Sequence, residues 1–117
     1  MSDEIKVRMS DEIKVRSSSG NIFADLGLPN SSELLIKAEL VREISSLITV
    51  RKLTPIEAAK CLGIDRSKIT DLLRGKLYEF SIDRLFRFLN ALGSDVEIRV
   101  IAKPESDAQA KTRVIAI

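Results

Sequence analysis

Five side chains with hydrogen-bonding chemistry fall within one short stretch of the sequence: Arg66, Ser67, Thr70, Asp71 and Arg74. With Ile69 and Leu72 facing inward, helical periodicity turns all five outward together. An arginine guanidinium is a planar fork of donors that matches the N7 and O6 acceptors on the edge of a guanine. Ser67 and Thr70 bring hydroxyls, which read bases less selectively. Asp71 has two open readings: it accepts from a cytosine amine, or it pairs with Arg66 or Lys68. Thr54, Lys68, Arg74 and Lys76 flank this set with groups suited to phosphate oxygens.

Other chemistries find little support. The chain has no His and a single Cys, Cys61, which removes the commonest general base and metal ligand and any intrachain disulfide. There is no nucleophilic triad, clustered metal-ligand set or phosphate-cradling glycine loop, so neither an enzyme nor a cofactor is expected. Cys61 reads as a small buried hydrophobe rather than a redox switch. Aromatics make up 4%, with no Trp, which argues against stacking on single-stranded bases.

At 117 residues, 44% hydrophobic and 31% charged, the composition suits one globular domain. No apolar run approaches a bilayer span and no signal peptide is visible, so the expectation is a cytoplasmic protein with no membrane partner. The formal net charge is only +2, but it is unevenly spread. Between residues 51 and 76, the bases Arg51, Lys52, Lys60, Arg66, Lys68, Arg74 and Lys76 face the acids Glu57, Asp65 and Asp71, leaving +4 in that stretch. Lys60 reads as part of a solvated face.

The elements that must position these groups are marked by caps and stops. Pro29 opens a helix from about 31 to 51, with Asn30 as its cap and Glu33 as the reciprocal partner. Leu34, Ala38, Val41, Ile44 and Ile48 form its apolar stripe, widened by Leu40 and Leu47, while Lys37, Glu39, Arg42 and Glu43 take the wet side. Thr54-Pro55-Ile56-Glu57 is a capping box for a second helix that Gly63 stops. Asp65 caps a third, from Arg66 to about Arg74, before Gly75. Ser81 caps a fourth, whose stripe of Ile82, Leu85, Phe86, Leu89 and Leu92 ends at Gly93. Phe88 lies toward the edge of that stripe, where it suits a second subunit.

Period two then replaces the helical pattern: Val96, Ile98 and Val100 alternate with Glu97 and Arg99, as in a half-buried strand. Residues 103–111 read as a loop, and residues 112–117 as a second candidate strand. At the other end, MSDEIKVR occurs at residues 1–8 and again at 9–16. That duplication reads as a doubled start or cloning scar on a mobile tail, far below the unit length of repeat folds. Ser17-Ser18-Ser19-Gly20 is a linker, and Ile22, Phe23, Leu26 and Leu28 are expected to pack onto the body. The expected organisation is a tail at 1–20, a helical domain at 21–94 and C-terminal strands at 95–117. The fold class is mainly α, a compact bundle of four to five helices with one or two short C-terminal β-strands.

The stretch TPIEAAKCLGIDRSKITDLLRGK, residues 54–76, has two short helices joined by Gly63-Ile64-Asp65, with small Ala59 where the backbones approach. This is a helix-turn-helix pattern, which holds its second helix ready for a major groove. It resembles the motif of the phage-repressor-like (XRE or Cro/C1-type) family. Asn21–Val100, with NIFADLGLP, LLRGK, FSIDRL and FLNALGSDVEI, is similar to antitoxins of the HigA type across about two-thirds of the chain. Members commonly carry Gln at the start of the motif's first helix, where this chain has Pro55. Thr54, just before it, keeps a hydroxyl that can reach a phosphate.

The resemblance implies a DNA-binding repressor that neutralises a RelE-like toxin and represses its own promoter. A stand-alone or phage-derived repressor and a protein-binding module without DNA are the alternatives. One recognition helix reads few base pairs, so such proteins bind pseudo-palindromic double-stranded DNA as homodimers. Phe88, Val96, Ile98 and Val100 are the expected dimer interface.

Overall fold

The computed structural model of the chain describes Leu26, Gly27, residues 31–106, Gln109 and residues 111–117. The duplicated octapeptide, the serine linker, Ile22, Phe23, Leu28 and the Asn30 cap lie outside the described residues. Four α-helices are present among the described residues: α1 (Ser31–Val50), α2 (Pro55–Leu62), α3 (Arg66–Leu73) and α4 (Ile82–Ala91). A short 3₁₀ turn, Leu77–Glu79, separates α3 from α4.

Local chemistry explains the boundaries. Thr54 Oγ1 accepts from the Glu57 amide at 3.1 Å, and Glu57 Oε1 accepts from the Thr54 amide at 2.8 Å, closing the capping box of α2. Ser81 Oγ accepts from the Arg84 amide at 3.1 Å at the start of α4. Asp65 has the extended backbone of an N-cap, but its side chain makes no capping bond. Its carbonyl instead accepts from the Lys68 and Ile69 amides.

All four helices stop in the same way. At each end one amide bonds three residues back and the next bonds five back, the Schellman arrangement, with the pivot residue left-handed. The pivots of α2, α3 and α4 are Gly63, Gly75 and Gly93, at φ +72°, +80° and +91°. The pivot of α1 is Lys52, at φ +57°.

Helix α1 is the hub, packed against α3, α4 and the 3₁₀ turn, while α2 packs on α3 and α4. Ile44, Ile69, Leu72, Phe80 and Leu85 are essentially inaccessible at the centre. Ala58 and Ala59 are both buried where α2 meets its neighbours, so a small residue keeps the helices close.

Several expectations need correction. Lys37 and Glu39 are buried rather than wet, because α1 has neighbours on more than one side. Lys37 lies 3.1 Å from Glu33 Oε2, and its Nζ donates to the Leu77 carbonyl at 3.4 Å. Glu39 Oε1 accepts from Arg42 at 2.7 Å. Leu26 is exposed, since it sits on a turn rather than against the body. Phe88 is buried in the core, edge-on to Phe80 with ring centroids 6.0 Å apart, so its ring is not a surface for a second subunit. The guanidinium of Arg84 stands 5.5 Å from the centroids of both rings.

No strand forms at the C-terminal end among the described residues. Residues 96–101 are without regular structure, as are 111–117. Val96 and Val114 touch the core, but Ile98 and Val100 face solvent. Alternation reports a surface that one side can bury, and a strand also needs a neighbour to take its backbone bonds. The described part of a single chain supplies neither beneath Ile98 and Val100.

Candidate nucleic-acid interface

Helix α3 is held from below by Ile69 and Leu72, which are 1% and 0% accessible. Helical geometry then fixes what the other side presents. Arg66, Ser67, Thr70 and Arg74 are all exposed, and they lie together on the outward side. The Thr70 hydroxyl donates back to the Arg66 carbonyl at 3.4 Å, a local bond that leaves its oxygen open to solvent. Neither Arg66 nor Arg74 has a carboxylate partner among the described residues. Their guanidiniums are available for a ligand.

Asp71 is turned differently. It is half-buried, with Oδ1 3.3 Å from Lys76 Nζ, rather than ranged with the exposed four. Desolvation pushes its carboxyl up. Hydrogen bonding with Lys76 and Glu79, and the charges of Lys76 and Lys68, outweigh that and hold it below the ordinary Asp value. Its ion-pair partner in the structure is Lys76, not the Arg66 or Lys68 that the sequence suggested.

Lys68 is also engaged: its Nζ lies 3.0 Å from Glu79 Oε1 on the 3₁₀ turn. Arg51 is spent structurally, donating to the Leu92 carbonyl at 3.0 Å and so closing the end of α4. Thr54 uses its oxygen as an acceptor within the capping box, and its O–H donates to no group among the described residues. The sulfur of Cys61 donates to the Ala91 carbonyl at 3.3 Å, so it is half-buried packing material between α2 and α4.

The helix-turn-helix domain family model matches residues 22–101. A solved structure described as an XRE-family transcriptional regulator is 38% identical, with a TM-score of 0.73. That similarity covers 76% of this chain and 100% of the other. The chain belongs to the XRE family of helix-turn-helix regulators. No curated protein matches it.

Within this XRE-family fold, α2 and α3 are the helix-turn-helix and α3 is its second helix. Sequence reasoning missed Glu79, the partner of Lys68. Glu79 escaped because its partnership with Lys68 spans eleven residues across a turn, and no helical spacing rule reaches that far. Tyr78, the single Tyr of the chain, is exposed on the 3₁₀ turn directly after α3.

Proposed function

We propose that this chain is a sequence-specific transcriptional repressor whose α3 enters the major groove of double-stranded DNA. Arg66, Ser67 and Thr70 read base edges, with Arg66 forking onto a guanine. Arg74 and the Thr54 hydroxyl hold phosphates. Asp71, Lys68 and Lys76 lie at the margin of that contact. One observation carries the reading: a helix buried on one side by Ile69 and Leu72 exposes, on the other, two hydroxyls and two arginines that have no carboxylate partner among the described residues.

The operator is a pseudo-palindrome bound by a homodimer. Val96, Ile98 and Val100 supply the interface, and the solvent exposure of Ile98 and Val100 in the single chain supports this. The similarity of NIFADLGLP, FSIDRL and FLNALGSDVEI to HigA-type antitoxins supports a further role. In that role the chain neutralises a RelE-like toxin and represses the promoter of their shared operon.

The decisive experiment is a footprint on the DNA upstream of the gene, repeated over a range of salt. The expected result is two protected half-sites, with log affinity falling by about 0.9 per neutralised phosphate as log salt rises. No protection at low salt would refute DNA binding. A strict monomer in light scattering at micromolar concentration would refute the dimer. Failure to relieve the toxicity of a co-expressed neighbouring RelE-like protein would refute the antitoxin role.

A further inference from the structure

Lys68 and Lys76 lie beside the exposed face of α3, where free ammonium groups would grip any phosphate. Neither is free. Lys68 meets Glu79 at 3.0 Å and Lys76 meets Asp71 at 3.3 Å, which makes a quartet of two bases and two acids with no net charge. The quartet ties α3 to the 3₁₀ turn. That turn is itself fastened by buried Leu77 and Phe80 and by the Lys37 bond to the Leu77 carbonyl. The acids are therefore held in place by the fold.

We propose that Glu79 and Asp71 are specificity-determining residues: by occupying Lys68 and Lys76 they withhold two cations from the DNA backbone and keep sequence-independent binding weak. The inference rests on the DNA-reading role of α3. Selectivity is a ratio of operator affinity to that for all other DNA. Phosphate contacts raise both affinities, whereas base contacts raise only the first. A neutral quartet beside two exposed arginines concentrates attraction on the residues that read and anchor.

The test measures binding of the full chain to a random-sequence duplex by fluorescence anisotropy across a salt series. Glu79→Gln leaves the quartet with one uncompensated cation, so log affinity against log salt steepens by about 0.9, equivalent to about eightfold tighter binding near 0.1 M salt. Asp71→Asn frees Lys76 and acts in the same direction, which keeps the test open if E79Q folds poorly. The double variant Lys68→Gln/Glu79→Gln returns the slope to the wild-type value. Glu105→Gln, the same charge change outside the quartet, leaves the slope unchanged. An unchanged slope in both E79Q and D71N, or equal steepening in E105Q, overturns the proposal while leaving DNA binding intact. No duplex binding by the wild type and E79Q alike overturns the DNA reading, and the quartet's role falls with it.

Discussion

Lys52→Gly should stabilise the domain. Lys52 is the pivot that ends α1, and the only pivot of the four that is not Gly. The backbone bonds are in place, with the Lys52 amide 3.0 Å from the Thr49 carbonyl and the Leu53 amide 3.1 Å from that of Ile48. The arrangement is thus satisfied, but a Cβ is carried at φ +57°. Left-handed backbone costs a side-chain-bearing residue roughly 1–2 kcal/mol. The extra freedom of glycine in the unfolded chain gives back about 0.5–1 kcal/mol. Losing a cation near a helix C-terminus costs about 0.3–1 kcal/mol at low salt, and this contribution is screened as salt rises.

At high salt the balance is a gain of about 0–1.5 kcal/mol, centred on about 0.75 kcal/mol, which is roughly 3–6 °C in Tm for a domain of this size. The assay is a thermal melt followed by circular dichroism at about 0.5 M salt, where the Debye length is only a few ångströms. Lys52→Ala is the control, since it removes the charge and keeps the strain. A K52G midpoint at or below that of K52A would refute the strain argument.

Three further outcomes follow from the same geometry. Arg66→Ala should cut discrimination between the operator and a guanine-substituted site by about 1–3 kcal/mol, whereas Arg74→Ala should weaken binding to all duplexes alike and lower the salt slope by about 0.9; anisotropy titrations on matched and scrambled duplexes separate the two. The Glu57 carboxyl is held below its ordinary value by the backbone and side-chain hydrogen bonds of Thr54. Its contribution to α2 is therefore present above the ordinary Glu value and lost as pH falls through the lower folded value. The protection factor of the Thr54 amide, its exchange relative to an unstructured peptide at the same pH, should fall at acid pH, and Glu57→Gln, which can still close the box, should remove that dependence. Phe88→Ala should cost about 3–5 kcal/mol, a large part of the stability of a small domain. A wild-type melt would show that the ring is not core.

What the sequence made legible was local. The Thr54–Glu57 capping box, the glycine stops and the stripes of α1 and α4 depend on residues within a few positions of one another, so the described helix ends fall within about one residue of expectation. The exposure of Arg66, Ser67, Thr70 and Arg74 on α3 followed from the inward pair Ile69 and Leu72 by periodicity alone, whereas Asp71, expected with them, is half-buried against Lys76. Partnerships across the fold were not legible. Lys37 lies off the α1 stripe and reads as wet, yet its amine meets a carbonyl forty residues away. Lys68 reads as a phosphate ligand until the 3₁₀ turn brings Glu79 to it. Phe88 sits at the margin of its stripe, and only the placement of Phe80 closes over it. The alternation at 96–100 is real, but periodicity states that a face can be buried without naming what buries it.

The claim on which the rest depends is that the outer side of α3 contacts duplex DNA. Its most direct test is amide chemical-shift mapping of the labelled chain during titration with its upstream duplex. The account predicts that the largest shifts fall at Arg66, Ser67, Thr70 and Arg74, with Thr54 next and α4 silent. Shifts confined to α1, α4 or residues 96–101, with α3 unmoved, would contradict it.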